Sequence, residues 1–303
     1  MRKRMIFVIL ICLFLMNGCQ EKQTVRILTP DGIPSIALGG LMDEWDIGVV
    51  SGADLITSEL LKADYDIIIA PLTAAAKTYI LGNTAYQCHA VLTTGNTYLV
   101  KEADGSDAFD LEGKKLGAYG QNNIPDLLLQ MYLGQNEMNP FIQYEASVND
   151  VVSNQVLASE PSDFFILAEP FLSLLEIQHQ KELTILDLQT ELDILPFVPQ
   201  AGVFIKKGTV NTVFLNELEE NIRFLKENPM EYAEKLLLIS PVIAPAFTYL
   251  GEEVIRSSLP RSSIVYYPIE EYQSTVELFF ETVNAFNVNI LGGEVPDEAF
   301  YGS

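Results

Sequence analysis

The feature that most restricts the fold is a series of short, uninterrupted apolar runs separated by helix-length segments. Val25-Arg26-Ile27-Leu28 reads as a strand and Thr29-Pro30-Asp31-Gly32 as the turn after it, followed by a helix over Ile33–Met42. Asp46–Val50 is a second strand, Gly52–Lys62 a helix, Asp66–Ala70 a buried strand, and Thr73–Leu81 a helix opened by Pro71. Strands that are apolar on both faces, with a helix between each pair, belong to a parallel sheet covered on both sides.

The pattern restarts after Lys101–Glu112, a polar, acidic stretch containing Gly105 and Ser106 and followed by Gly113. A lobe boundary is expected there. Lys115–Tyr119 reads as a strand, and Pro125 sits in the first turn of a helix running through Leu127, Leu128 and Met131 to Gly134. Phe141–Tyr144 is the next strand. Ser147 and Asp150 have the spacing of a capping pair for a helix over Val148–Ala158, and Asp163–Ala168 is a buried strand. That strand echoes the first half: Asp66, an apolar run, Ala70 and Pro71 match Asp163, an apolar run, Ala168 and, one residue further on, Pro170. Two similarly wound lobes would produce this echo; so would common strand punctuation.

Past residue 200 the character changes. Val203-Phe204-Ile205 reads as a strand; Val210–Glu227, Met230–Ile239, Glu252–Ser257 and Glu270–Phe286 read as helices, separated by Pro229, Pro241, Pro260 and Pro268. In the last helix Tyr272, Val276, Phe279, Val283 and Phe286 form one apolar face that should dock on a lobe. The expected organisation is a signal peptide (1–18), a tether (19–24), a first lobe with the C-terminal helices (25–103 plus 202–303) and a second lobe (104–201).

The leader reading comes from Arg2, Lys3 and Arg4 before an apolar run from Met5 to Met16, too short for a membrane span of roughly 20 residues. Met16-Asn17-Gly18-Cys19 resembles the lipobox of bacterial lipoproteins, with Met16 in place of the usual Leu and Asn17 bulkier than the usual residue. The resemblance implies lipidation of Cys19, export, and attachment to the extracytoplasmic face of the membrane. Of the three cysteines, Cys12 falls in the leader, so a lipidated Cys19 leaves Cys88 unpaired and no intramolecular disulfide is expected. The first 18 residues carry three cations and no acids, so their removal takes the formal charge from −23 to −26. A field of that sign disfavours nucleic acid as a partner.

Catalytic motifs do not emerge. His89 and His179 form no metal-ligand pair, and the sequence holds no Gly-x-Ser-x-Gly elbow, phosphate-cradling Gly-rich loop or cysteine pair. No catalytic residue, cofactor or metal is expected. What remains are the loops at the carboxyl ends of the strands, where open α/β sheets hold ligands. They supply Asp31, Gly32, Ile33, Pro34, Thr73, Asn96, Tyr98, Tyr119, Gln121, Asn122, Glu169 and Phe171 as candidate ligand contacts. Ordinary turn chemistry would favour many of the same residue types.

The segments Val25–Ala37, Asp66–Ala76, Gly95–Val100 and Leu111–Gly117 resemble the nitrate/sulfonate/taurine-type solute-binding proteins of ABC importers, a group that includes binders of thiamine pyrimidine precursors. The resemblance covers most of residues 25–205 and fades in the helical C-terminus. It implies a type II periplasmic-binding-protein-like α/β fold, two lobes joined by two crossovers with a small-molecule ligand between them, a monomer, and delivery to an ABC permease. An enzyme of the same fold acting on a small metabolite is the alternative. The five candidate loops hold no Lys or Arg; Asp31 and Glu169 supply one acid per lobe, and Tyr98, Tyr119 and Phe171 supply rings. A neutral or weakly basic, possibly pyrimidine-like ligand is therefore expected ahead of an anion, unless both acids only cap helices.

Overall fold

A computed structural model describes residues 25–51, 53–82, 84–192, 197–209, 211–239 and 245–302. The leader and Cys19 lie outside these residues. Two sheets organise the chain. The first contains β1 (Arg26–Pro30), β2 (Asp46–Val50), β3 (Ile67–Pro71), β4 (Tyr86–Thr94), β10 (Pro199–Lys206) and β11 (Ile264–Pro268), in the order β11-β4-β10-β3-β1-β2. The second contains β5 (Tyr98–Glu102), β6 (Lys115–Tyr119), β7 (Phe141–Glu145), β8 (Phe164–Leu167) and β9 (Leu183–Asp187), in the order β7-β6-β8-β5-β9.

The sheets share one plan. β1 pairs in parallel with β2 and β3 as β6 does with β7 and β8. Each third strand then pairs antiparallel with a strand arriving from the other half: β10 beside β3, and β5 beside β8. The chain therefore passes between sheets twice, between β4 and β5 and between β9 and β10. The boundaries expected at 103/104 and 201/202 fall one strand late and a few residues late. Tyr98–Glu102 already belongs to the second sheet, and Pro199 already to the first. Composition misplaced the first boundary because β5 is as apolar as β4, and the polar stretch after it is a surface loop within the second lobe.

The echo between the halves has a shared contact. The Asp66 carboxylate accepts the Arg26 backbone N–H at 2.9 Å, and Asp163 accepts that of Lys115 at 2.9 Å. In each lobe the acid preceding the third strand thus satisfies the first N–H of the first strand, a donor the ladder leaves unpaired.

Helices cover both faces: α1 (Ile33–Leu38), α2 (Ala53–Lys62), α3 (Leu72–Ile80), α4 (Ile124–Gln135), α5 (Val148–Leu157) and α6 (Phe171–Gln178). Ser147 caps α5 as its spacing predicts, its Oγ accepting the Asp150 N–H at 3.2 Å. The C-terminal region adds α7 (Thr212–Glu227), α8 (Pro229–Leu238), α9 (Pro245–Ser258) and α10 (Ile269–Phe286). It also adds β11, which the sequence reading missed because only five residues separate Ser263 from Ile269, too few to show a period. On α10 the expected apolar face is buried at Val276, Phe279 and Val283, while Phe286 at its end is 47% exposed. The tail then returns to the sheet: Tyr301 bridges to Cys88, and the Gly302 N–H donates to the Cys88 carbonyl at 2.8 Å.

Helices α7 and α8 dock on the first lobe at Gly39 and Gly40. Added β-carbons there would lie 1.9 Å from Leu236 Cδ2 and 2.0 Å from Asn221 Oδ1. Through that gap the Tyr232 hydroxyl donates to the Ile36 carbonyl at 2.7 Å and accepts the Gly40 N–H at 3.2 Å, and Asn221 Nδ2 donates to the Ala37 carbonyl at 2.7 Å. Tyr232→Phe should lower unfolding free energy by about 1–3 kcal/mol, the cost of leaving buried partners unpaired. Urea denaturation at unchanged m-value measures it. Cys88 is buried without a disulfide partner, and burial pushes its thiol up to about 12. It should resist aqueous thiol reagents until the chain unfolds, and reductant should leave the melting temperature unchanged.

Candidate functional site between the lobes

The two connections between sheets hold each other. The Gly95 N–H donates to the Val198 carbonyl at 2.8 Å, the Leu188 N–H to the Thr97 carbonyl at 3.1 Å, and Gln200 Nε2 to Thr97 Oγ1 at 3.2 Å. Gly95 adopts φ +54°, and the Gln189 amide lies where its β-carbon would be, at 1.8 Å, so a larger residue there would displace Gln189. These hydrogen bonds tie the two connections together where the chain passes between the sheets.

On the first lobe, the Asp31 N–H donates to the Val50 carbonyl at 2.9 Å, tying together the carboxyl ends of β1 and β2. Gly32, at φ +86°, turns the chain into α1, where Ile33 is buried and Pro34 occupies the first turn. Thr73, in the first turn of α3, is buried. On the second lobe, Gly120 at φ +67° and Asn122 at φ +61° form the turn from β6 to α4. Asp126 holds it by accepting the Asn122 N–H at 2.8 Å. Gln121 and Asn122 are exposed at that turn, with Tyr119 half-buried beneath it. Phe171 is half-buried at the start of α6, packed between the cores of the two lobes.

Three predicted contacts come together in a different role. Asn96, at φ +64°, accepts the Glu169 N–H at 2.7 Å and donates to the Glu169 carbonyl at 3.2 Å. The Tyr98 hydroxyl donates to the Arg261 carbonyl at 2.7 Å. The Glu169 carboxylate, its side chain 0% exposed, accepts the backbone N–H and the hydroxyl of Ser173, each at 3.1 Å. Arg261 Nε lies 2.5 Å from Glu169 Oε1, forming an ion pair with it. Arg261 Nη2 donates to Glu176 at 2.6 Å and to Ser173 Oγ at 2.9 Å. Burial raises the Glu169 carboxyl above its ordinary pKa, opposed by the Arg261 charge and the Ser173 hydrogen bonds.

Arg261 is the residue the sequence reading missed. It stands between α9 and β11, 85 and 88 residues from Glu176 and Ser173, where no local pattern links it to a loop of the other lobe. The loops taken to lack a cation therefore have one, supplied by the C-terminal region. Among the described residues, its pairs with Glu169 and Glu176 are the ion pairs that cross between lobes. A separate polar depression of about 100 Å³ in the second lobe is lined by Gly117, Gln143, Glu145, Asn154, Gln155 and Ser162, and shares no residue with the predicted set. Among the described residues, no group of three or more His, Cys, Asp or Glu is arranged to hold a metal ion.

Solved structures with this arrangement are recognisable. An ABC transporter from Parabacteroides distasonis superposes at TM-score 0.78 and 21% identity, over 93% of this chain and 99% of that one. The chain has the periplasmic-binding-protein fold. The periplasmic aliphatic sulphonate binding protein SsuA from Escherichia coli matches at TM-score 0.67 and 17% identity, over 91% and 90% of the two chains. A Candida albicans protein described as having the generic periplasmic binding protein fold matches at TM-score 0.55 and 12% identity, over 88% and 93%. The sequence matches no protein-family model and no curated protein sequence.

Arg261→Gln should destabilise the protein by about 3 kcal/mol, because Glu169 is left buried beside a neutral amide. Glu176→Gln, at a carboxylate 30% exposed, should cost under about 1 kcal/mol. Equal effects of the two changes in thermal or urea unfolding would contradict this ranking.

Proposed function

We propose that this chain is a substrate-binding lipoprotein that encloses a small polar solute between its lobes and delivers it to an ABC importer. The observation that carries the reading is the double strand exchange, which joins two α/β lobes through a pair of linked connections. Such a join permits closure around a ligand. The names of the similar structures point the same way: an ABC transporter, an aliphatic sulphonate binding protein, and the ligand binding component of an ABC-type import system from Staphylococcus aureus. Binding rather than catalysis is the function that fits this construction. Cys12 and the other leader residues would be removed, and Cys19 would carry the lipid on the outer face of the membrane.

Direct ligand contact is assigned to Asp31, Gly32, Ile33, Pro34, Thr73, Tyr119, Gln121, Asn122 and Phe171. Asn96, Tyr98 and Glu169 border the same cleft, with their polar atoms engaged in joining the lobes. The favoured solute remains neutral or weakly basic, with a flat pyrimidine-like ring ahead of a sulfonate or nitrate. Arg261 does not reverse that preference, because Glu169 and Glu176 together outweigh its single charge. An anion would have to draw it away from both.

A thermal-shift screen followed by calorimetry tests the reading. A pyrimidine-type solute should raise the melting temperature without being consumed, and Asp31→Asn should weaken its binding. Tight binding of a sulfonate, unaffected by that change, would show that the charge argument is wrong, and turnover of the compound would identify an enzyme. Cys19→Ala should release a folded protein from membranes, and continued membrane fractionation would refute the anchor.

A further inference from the structure

We infer that the pole of the first lobe opposite the cleft is a lipid-facing surface, which rests against the bilayer when the chain is anchored. The inference rests on the reading of Cys19 as the lipidated residue. Only Gln20–Thr24 separate that cysteine from Val25, so Cys19 to Val25 reaches roughly 20 Å at full extension. The described chain enters at the amino end of β1, and parallel β1, β2 and β3 point their carboxyl ends at the cleft. A short tether at the amino end therefore holds this pole close to the membrane.

The surface there has the composition of a membrane interface. Helices α2 and α3 run back from the cleft, so their carboxyl ends emerge at the same pole, carrying Leu61 at 53% and Leu81 at 60% exposure. Lys77 donates to the Asn289 carbonyl at 3.1 Å, and Gly292 abuts Lys77 and Ile80, which seats the turn after α10 on the last turns of α3. That contact brings the end of α10, with Phe286 47% exposed and Val288 49% exposed just before Asn289, to the same end of α3. Four exposed apolar side chains at one end of a strongly acidic protein are costly in water and favourable in a bilayer interface.

Cations surround them. The Arg26 guanidinium stands 4.6 Å from the Tyr65 ring centre, and Lys207 Nζ 5.7 Å from that of Tyr79. Lys206 reaches the Ala63 carbonyl at 2.7 Å, and Lys62 pairs with Glu59 at 2.6 Å. Arg26, Lys62, Lys77, Lys206 and Lys207 thus gather at one pole of a chain with 18 Lys and Arg against 41 acids. Asp46, Glu59, Asp64, Asp66 and Asp297 also lie there; Glu59 is occupied by Lys62, Asp66 by the Arg26 N–H and Asp297 by the Tyr79 hydroxyl. Tyrosines flanked by long cationic side chains, next to exposed Leu and Phe, suit headgroups and the acyl boundary beneath them.

The test uses the acylated full-length protein on phosphatidylcholine–phosphatidylglycerol vesicles containing no other protein. Spin labels are placed by Leu81→Cys or Phe286→Cys, with Leu157→Cys, 81% exposed on the second lobe, as the reference; Cys88 is too buried to compete. Labels at 81 and 286 should lose several-fold of their collision rate with a water-soluble nickel chelate and gain it with oxygen, while the label at 157 stays water-accessible. A chain that floats with vesicles but keeps all three labels equally accessible overturns the lipid-facing surface and leaves the anchor standing. Protection that appears only when a membrane protein is added to the vesicles overturns it in favour of a protein partner. A chain that does not float overturns both this inference and the anchor.

Discussion

Everything in this molecule hangs from two strands that cross between the sheets and lie antiparallel to the strand they meet. β10 lies against β3 and β5 against β8, and each arrives from the opposite sheet. A strand cannot leave its sheet without giving up its ladder of hydrogen bonds, so this exchange fixes which residues belong to which lobe and holds the lobes together at one side. The hydrogen bonds from Gly95 to Val198 and from Leu188 to Thr97 then tie the two connections to each other.

Beside those connections lies a second dependence, the buried carboxylate of Glu169. Burial alone would favour its protonated form; Ser173 and Arg261 favour the charged one. Arg261 comes from the first lobe and Glu169 from the second, so the charge is satisfied only while the two are together on this side. Asn96 reinforces the arrangement by bonding both backbone groups of Glu169, which couples the first crossover to the start of α6. Asn96, Tyr98 and Glu169 are therefore committed to joining the lobes, whereas Gln121 and Asn122 at the β6–α4 turn are exposed.

Elements written as continuous apolar runs were legible before any coordinates. Lys115–Tyr119 and Asp46–Val50 fall where the pattern puts them, and the Ser147 cap follows from a three-residue spacing. β11 was not legible, because a five-residue strand ending in Pro268 shows no period and is paired with β4 alone. The sheet boundary at Tyr98 was hidden for a related reason: β4 and β5 are both apolar, and what separates them is the choice of partner. In the site, Asn96 and Glu169 were visible as unusual loop residues, yet their use was not, since it depends on Arg261, remote in sequence and close in space.

The same dependence on partners bears on charge. A formal −23 says that the surface repels polyanions, but it does not describe the field inside the cleft, where one guanidinium faces two carboxylates. An anionic solute would have to compete with Glu169, which is buried, oriented by Ser173 and already within ion-pair distance of Arg261. Under the proposed reading a neutral ring needs no such exchange, and the exposed amides at the β6–α4 turn are the groups it would bond. Selectivity in this reading comes from the cost of separating charges that the fold has already paired.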